Sequence, residues 1–149
     1  MAKKQSPPIF ERLALIGIGL IGSSIARVAK RDNLVGHISV SAHTQKSLDK
    51  AMELGIADSV SLDQKAAVKD ADMVIICAPI SAYREIIEAI APGLKPGAIV
   101  SDVGSVKQAV VRDLGSHIPE GVHLIPAHPV AGTEHSGPEA GFPELFADR

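Results

Sequence analysis

The chain has 149 residues, of which 46% are hydrophobic and only 3% aromatic, and its formal net charge at pH 7 is −2. This length suffices for one domain with a substantial core, and the balance of 15 basic and 17 acidic residues excludes a strongly charged nucleic-acid or membrane surface. The aliphatic composition is typical of a parallel sheet covered by helices on both faces.

The sequence gives no sign of export or membrane insertion. The first residues do not form a signal peptide, and no apolar run is long enough to span a bilayer. The single cysteine, Cys77, lies in an apolar run, so we expect a small core residue and no disulfide framework. A cytoplasmic protein is the resulting expectation.

The predicted elements alternate between strand and helix along the chain. Residues 1–8 contain two lysines and a Pro-Pro pair and are predicted to form a flexible tail. Strands are then predicted over 9–16, 37–41, 59–60, 72–78, 98–101 and 122–125. Helices are predicted from the glycine turn to about 31, and over 45–54, 64–69, 81–90 and 105–114, with Thr44 capping the second. Such alternation indicates an α/β fold with a doubly wound, mostly parallel sheet.

The first predicted strand runs into the sequence GIGLIG, in which Gly17, Gly19 and Gly22 have the spacing G-x-G-x-x-G. Gly17 permits a tight turn, Gly19 lets the backbone approach a pyrophosphate, and Gly22 lets the next helix pack closely. The amides at the helix start, at Leu20 and Ile21, form an anion site with the helix dipole. The alternative is a purely structural turn. The strand-turn-helix context favours a Rossmann-type dinucleotide-binding domain over residues 9–149, with NAD or NADP as cofactor.

The loop after the second predicted strand bears on the choice between NAD and NADP. Domains that bind NAD usually carry an Asp or Glu there for the adenosine ribose, but this chain has the sequence SAHTQK, which contains no carboxylate. Hydrogen-bond donors are available from Ser41, His43, Thr44 and Lys46, although no arginine accompanies them. The pattern favours NADP or the use of both cofactors, and a polar loop that tolerates either cofactor is the alternative.

Three later segments are expected at the same edge of the sheet, because ligands bind beyond the carboxyl ends of parallel strands. Ala78 and Pro79 form a rigid turn that can lie along the cofactor's ribose. Ser105 follows the next strand; it is either an ordinary helix N-cap or a hydroxyl beside the nicotinamide and the substrate. His128 lies between two prolines, and a stiff backbone helps to aim an imidazole for proton transfer near neutral pH.

The histidines near the carboxyl end do not have the spacing of a zinc site. His123, His128 and His135 match no known zinc motif, and no cysteine accompanies them, so we expect no metal. We expect His123 to belong to the strand and His135 to the loop surface.

Three motifs together resemble those of the prephenate/arogenate (cyclohexadienyl) dehydrogenases of tyrosine biosynthesis: GIGLIGSS, SDVGSVK and HPVAGTEHSG. Many dinucleotide enzymes share the first, whereas the last two are specific as a pair, and the resemblance covers nearly all of residues 10–149. It implies an NAD(P)-dependent oxidative decarboxylation of prephenate and/or arogenate. A hydride leaves C4 of the cyclohexadienol ring for the nicotinamide, carbon dioxide departs, and the ring becomes aromatic.

The resemblance also implies roles for single residues. His128 matches the catalytic histidine that hydrogen-bonds the C4 hydroxyl and takes up its proton. Ser105 matches the serine that orients this histidine, the substrate hydroxyl and the nicotinamide. The matching wall of the substrate pocket consists of Gly132, Thr133 and Glu134.

Members of this family continue into a helical domain that dimerises and supplies further substrate-binding residues. The resemblance therefore implies a homodimer for the full-length form and little activity for this chain alone, with an exposed apolar patch where the helical domain docks. The alternatives are a dehydrogenase for another small hydroxy or imino acid, a nucleotide-binding module without activity, and glycines that merely turn the chain. The choice between prephenate and arogenate stays open.

Overall fold

The computed structural model describes residues 6–129, 131 and 135–147, and its centre is a six-stranded sheet. All neighbouring strands are parallel, and their order is β3-β2-β1-β4-β5-β6. The order reverses between β1 and β4, which is where open α/β sheets form their ligand crevice. The predicted doubly wound parallel sheet is confirmed. The strands are β1 Phe10–Ile16, β2 Val35–Ser41, β3 Ser59–Ser61, β4 Met73–Ile76, β5 Ile99–Asp102 and β6 His123–Ile125.

Helices cover both faces of the sheet, and the alternation of side chains along β1 shows why. Leu13 and Leu15 point to the face covered by α1 and α2, whereas Ala14 and Ile16 point to the face covered by α3, α4 and α5. Each fully buried aliphatic side chain contributes about 1.5–3 kcal/mol to folding. The helices are α1 Leu20–Arg31, α2 Gln45–Glu53, α3 Gln64–Ala67, α4 Tyr83–Ile90 and α5 Lys107–Gly115. No helix in the described part of the chain is long and apolar enough to cross a bilayer.

Local signals explain where the elements begin and end. The hydroxyl of Thr44 accepts a hydrogen bond of 3.2 Å from the amide of Ser47, which confirms the predicted cap of α2. Gly55, with a φ of 70°, follows the end of that helix. Of the two alternatives for Ser105, the N-cap is wrong, because α5 begins at Lys107 and the capping position falls on Val106, which makes no side-chain cap.

The carboxyl-terminal segment, residues 137–146, packs across α1. The amide of Phe142 donates to the hydroxyl of Ser24 at 3.1 Å, and the Arg27 guanidinium donates to the carbonyl of Pro138 at 3.2 Å. Leu145, within this segment, is buried. The contacts bring Gly137 and its neighbour to the mouth of the crevice between β1 and β4.

Candidate nucleotide-binding and catalytic site

A cleft of about 270 Å³ opens at the carboxyl ends of β1, β2 and β4. Its walls come from the glycine turn, the end of β2, the turn after β4 and the carboxyl-terminal segment. Seven of the residues predicted to bind cofactor line this cleft: Gly17, Gly19, Ser41, His43, Thr44, Ala78 and Pro79. The prediction that these separate segments meet at one edge of the sheet agrees with this geometry.

The glycine turn has the geometry that its spacing suggests. Gly17 has a φ of 103°, and a Cβ atom there would lie 2.7 Å from the carbonyl oxygen of Cys77 at the end of β4. A Cβ atom on Gly22 would lie 2.5 Å from the carbonyl oxygen of Gly17, so this glycine supports the turn from below and does not line the cleft. Gly19 has nothing within 4 Å of its Cβ position. The turn is therefore tightly packed at Gly17 and Gly22, whereas the space beside Gly19 is open.

The start of α1 presents unpartnered amides beside this open space. The helix follows Gly19, which has no side chain to cap it, and its first turn contains no acidic residue. The first intrahelical bond in this turn runs from the amide of Ser23 to the carbonyl of Gly19, at 2.9 Å. The amides of Leu20 and Ile21 therefore have no intrahelical acceptor, and an anion at this position is favoured by the helix dipole.

The end of β2 contributes a polar atom without a partner. The hydroxyl of Ser41 is buried and has no hydrogen-bond partner among the described residues, although the residue borders the cleft. Beyond it, Ala42 is half-buried and His43 is exposed. No Asp, Glu, Lys or Arg side chain from the described ranges lines the cleft. The adenosine end of a ligand would therefore meet no repelling carboxylate inside the cleft, and Lys46, the cation of the same loop, lies outside the cleft lining.

A second cavity, of about 410 Å³, lies on the sheet face beyond β4 and β5, and His128 lines it. Its other walls include Asp102, Ala127 and Phe146. Ser105 is exposed beside the start of α5 and makes no hydrogen bond to His128 within residues 6–129, 131 and 135–147. Gly132, Thr133 and Glu134, the predicted substrate-pocket wall, lie outside the described residues.

Asp102, the last residue of β5, is fully buried and is the centre of a polar cluster next to His128. Its carboxylate accepts hydrogen bonds from the amide of Gly104 at 2.8 Å, from the Lys107 ammonium at 2.7 Å and from the hydroxyl of Tyr83 at 3.2 Å. The other carboxylate oxygen accepts from the amide of Ala127 at 3.1 Å. Burial, and then the charge of Asp102, raises the pKa of Tyr83, so its hydroxyl stays protonated and donates.

Comparison with known proteins identifies the family. The profile of the prephenate dehydrogenase nucleotide-binding domain matches residues 25–149. This chain belongs to that family. Cyclohexadienyl dehydrogenase of Zymomonas mobilis is 42% identical over 142 residues, which are 94% of this chain and 47% of the relative.

Solved structures of prephenate and arogenate dehydrogenases have the same fold. Prephenate dehydrogenase from A. aeolicus, in complex with hydroxyphenyl propionate and NAD⁺, has a TM-score of 0.84 and 30% identity, covering 98% of this chain and 50% of that one. Synechocystis arogenate dehydrogenase has a TM-score of 0.82 and 30% identity, covering 91% and 46%. The chain therefore spans about half the length of the relatives that it matches.

The polar cluster around Asp102 was not predicted from the sequence motifs. The sequence SDVGSVK contains both Asp102 and Lys107, although only its serine, Ser105, was a predicted site residue. One signal in the sequence could have predicted the cluster. Asp102 is a carboxylate at the end of an apolar strand, and a charge that is buried there requires partners. A lysine five residues later was the candidate partner.

Proposed function

We propose that this chain binds NAD or NADP in the cleft between β1, β2 and β4, as the cofactor-binding part of an enzyme for the oxidative decarboxylation of prephenate and/or arogenate in tyrosine biosynthesis. The observation that carries the proposal is the uncapped start of α1, which faces an open cleft beside Gly19. The dehydrogenase relatives support the reaction type. A cytoplasmic homodimer, with contacts from a further helical domain, is part of the same proposal.

The residues of the cleft fit such a cofactor. A pyrophosphate would be held by the amides that begin α1, at Leu20 and Ile21, over the space left by Gly19. The unpartnered hydroxyl of Ser41 would gain a hydrogen bond from the adenosine ribose or its phosphate. Pro79, in the turn after β4, would lie along the nicotinamide ribose.

The chain's own residues contribute placement and proton transfer to the reaction. When bound, the cofactor supplies a nicotinamide ring that accepts the hydride from C4 of the substrate. His128 would hydrogen-bond the C4 hydroxyl and take its proton, because imidazole titrates near the working pH. Ser105 would orient the hydroxyl and the imidazole, and Gly132, Thr133 and Glu134 would form a wall of the substrate pocket.

The proposed choice of cofactor rests on the residues at the end of β2. Ala42 stands where a carboxylate for the ribose hydroxyls is expected, so a 2′-phosphate would meet no repelling charge. His43, Thr44 and the nearby Lys46 would face this phosphate. Because the loop over residues 41–46 contains no arginine, we propose NADP or dual use and not strict NADP specificity.

Calorimetric titration of this chain with NAD and, separately, with NADP tests the proposal. We expect both cofactors to bind, NADP at least as tightly as NAD. Ala42→Asp should weaken NADP selectively, because it adds a negative charge beside the 2′-phosphate, while Ala91→Asp, on a half-buried turn away from the cleft, is the charge-matched control. Absence of binding by either cofactor would contradict the proposal for this chain.

Activity needs a separate measurement on the full-length protein. Reduced cofactor formed from prephenate, from arogenate and from small hydroxy acids separates the proposed reaction from the alternative dehydrogenases. His128→Asn should remove turnover and leave cofactor affinity unchanged. If only another hydroxy acid were turned over, the proposed substrate would be wrong, while the proposed cofactor site would stand.

A further inference from the structure

The peptide groups on both sides of Ala127 are held by one ion pair, between the buried Asp102 and the partly exposed Lys107. Its amide donates to Asp102 at 3.1 Å, and its carbonyl oxygen accepts from the ammonium of Lys107. Lys107 and Asp102 are themselves joined at 2.7 Å. Both hydrogen-bonding groups of the residue that precedes His128 are thus tied to the end of β5 and the start of α5.

Pro129 restricts the backbone of His128 further. Pro129 follows His128, and the residue before a proline is restricted to extended backbone conformations. The peptide that enters His128 is fixed through the carbonyl of Ala127, and the peptide that leaves it is restricted by the proline ring. The direction of the imidazole then depends mainly on the side-chain rotamer.

We propose that Asp102 and Lys107 are positioning residues that hold the backbone of Ala127 and thereby aim the imidazole of His128 at the substrate. This inference rests on the proposed function, in which His128 is the proton acceptor. Neither residue has to touch the reacting atoms. Their effect is on the geometry of the imidazole, and a misplacement of about 1 Å at a reacting group can reduce a rate about 100-fold.

The cluster around Asp102 contains more hydrogen bonds than are needed to join β5 to the segment that precedes His128. Asp102 is fully buried and accepts four hydrogen bonds, from Tyr83, Gly104, Lys107 and Ala127. Burying a carboxylate is unfavourable unless it is fully paired. Lys107 is the cation of this arrangement, and its side chain is 34% exposed, so substitution there changes the cluster without opening the core.

The test is Lys107→Met in the full-length protein, assayed with prephenate and with arogenate. The variant keeps an unbranched side chain that is one atom shorter, and it loses both hydrogen bonds. We expect kcat to fall about 10- to 100-fold, while the Kd of the cofactor changes less than about twofold, because the cleft lies at β1 and β2. Lys107→Arg, which can still donate to both oxygens, should restore most of the lost rate.

Lys95→Met is the matched control. Lys95 forms an ion pair of 2.5 Å with Asp72, which precedes β4 and so lies at the opposite edge of the sheet from His128. This variant should lower the melting temperature and leave kcat unchanged. An equal loss of kcat in Lys95→Met and Lys107→Met, or no loss in Lys107→Met, would overturn the proposal.

Two further variants complete the test. If Lys107→Met does not fold, Lys107→Gln replaces it, because the shorter amide loses the charge and one of the three N–H donors. A reduced kcat then supports the proposal, and an unchanged kcat overturns it. The double variant Lys107→Met/His128→Asn should turn over no more slowly than His128→Asn alone. If His128→Asn leaves kcat intact, the proposed function has failed; if it removes turnover while Lys107→Met does not, only the positioning role has failed.

Discussion

Gly22 lies directly beneath Gly17, so closely that a Cβ atom on Gly22 would be 2.5 Å from the Gly17 carbonyl oxygen. The same Cβ atom would be 3.3 Å from the Cβ atom of Cys77 at the end of β4. The first turn of α1 is therefore packed against the backbone of the turn that it follows. Its amides face the cleft because no side chain separates the helix from the turn.

Gly22→Ala should destabilise the fold, because the nearest atom belongs to the backbone and cannot rotate away. We expect the free energy of unfolding to fall by about 1–3 kcal/mol, measured by urea denaturation. Gly115→Ala is the control: the nearest atom to its Cβ position lies 3.9 Å away, and alanine favours helix. Equal stability of Gly22→Ala and the unchanged chain would contradict the packing described here.

Gly19→Ala should separate cofactor binding from stability. Its Cβ position has no atom within 4 Å, and its φ of −73° suits any residue, so the free energy of unfolding should stay within about 0.5 kcal/mol. The added methyl group would occupy the space where the pyrophosphate approaches. We expect the Kd for NAD and NADP to rise at least about tenfold in calorimetry. Undiminished binding would argue against this location of the pyrophosphate.

Much of the fold could be predicted because its signals are local. The apolar runs of β1 and β4, the glycine spacing and the Thr44 cap each lie within a few residues of the element that they define. Local signals misplace the start of the second strand. The predicted strand begins at residue 37, directly after Gly36, but β2 begins at Val35 and includes Gly36. A Cβ atom on Gly36 would be 3.0 Å from the carbonyl oxygen of Glu11, so this glycine serves the close approach of two strands and not a turn.

The site was predictable in part for the same reason. The glycines and the turn after β4 could be assigned to one edge of the sheet from strand polarity alone. The contact between Asp102 and Ala127 could not, because it joins residues 25 positions apart and depends on the pairing of β5 with β6. The interpretation of Ser105 as a cap failed because α5 begins two residues later, at Lys107.

Cys77 should react slowly in the folded chain. Cys77 is half-buried at the wall of the cleft. Desolvation there, and then the charge of Asp102, raises the pKa of its thiol to about 12, and the thiolate is the form that reacts. We expect alkylation by iodoacetamide at pH 8 to be at least about 100-fold slower than in the urea-unfolded chain. Because this is the single cysteine, mass spectrometry of the modified protein reports on it alone. Native and unfolded rates within tenfold of each other would refute the expectation.

Asp72 should stabilise the fold in a pH-dependent way. Its carboxylate accepts hydrogen bonds from Lys95 at 2.5 Å and from the amides of Arg12 and Glu11 at 2.9 and 3.0 Å. The hydrogen bond from Lys95 has the largest effect, and together these bonds hold the pKa of Asp72 below its ordinary value of 3.8. Because the folded pKa is lower than the unfolded one, the stabilisation is complete above the unfolded value and is lost as the pH falls through the folded value.

Asp72→Asn should therefore lower the free energy of unfolding by about 1–2 kcal/mol at pH 7, since it removes an ion pair and leaves neutral hydrogen bonds. The difference from the unchanged chain should shrink below about pH 4 as the carboxyl protonates. Asp32→Asn is the control, because the pKa of Asp32 is also lowered, by Arg31, but both side chains are exposed and little stability should be lost. Urea denaturation of the three proteins between pH 2.5 and 7 measures both effects. A difference for Asp72→Asn that is absent at pH 7, or that grows as the pH falls, would show that this carboxylate does not stabilise the fold.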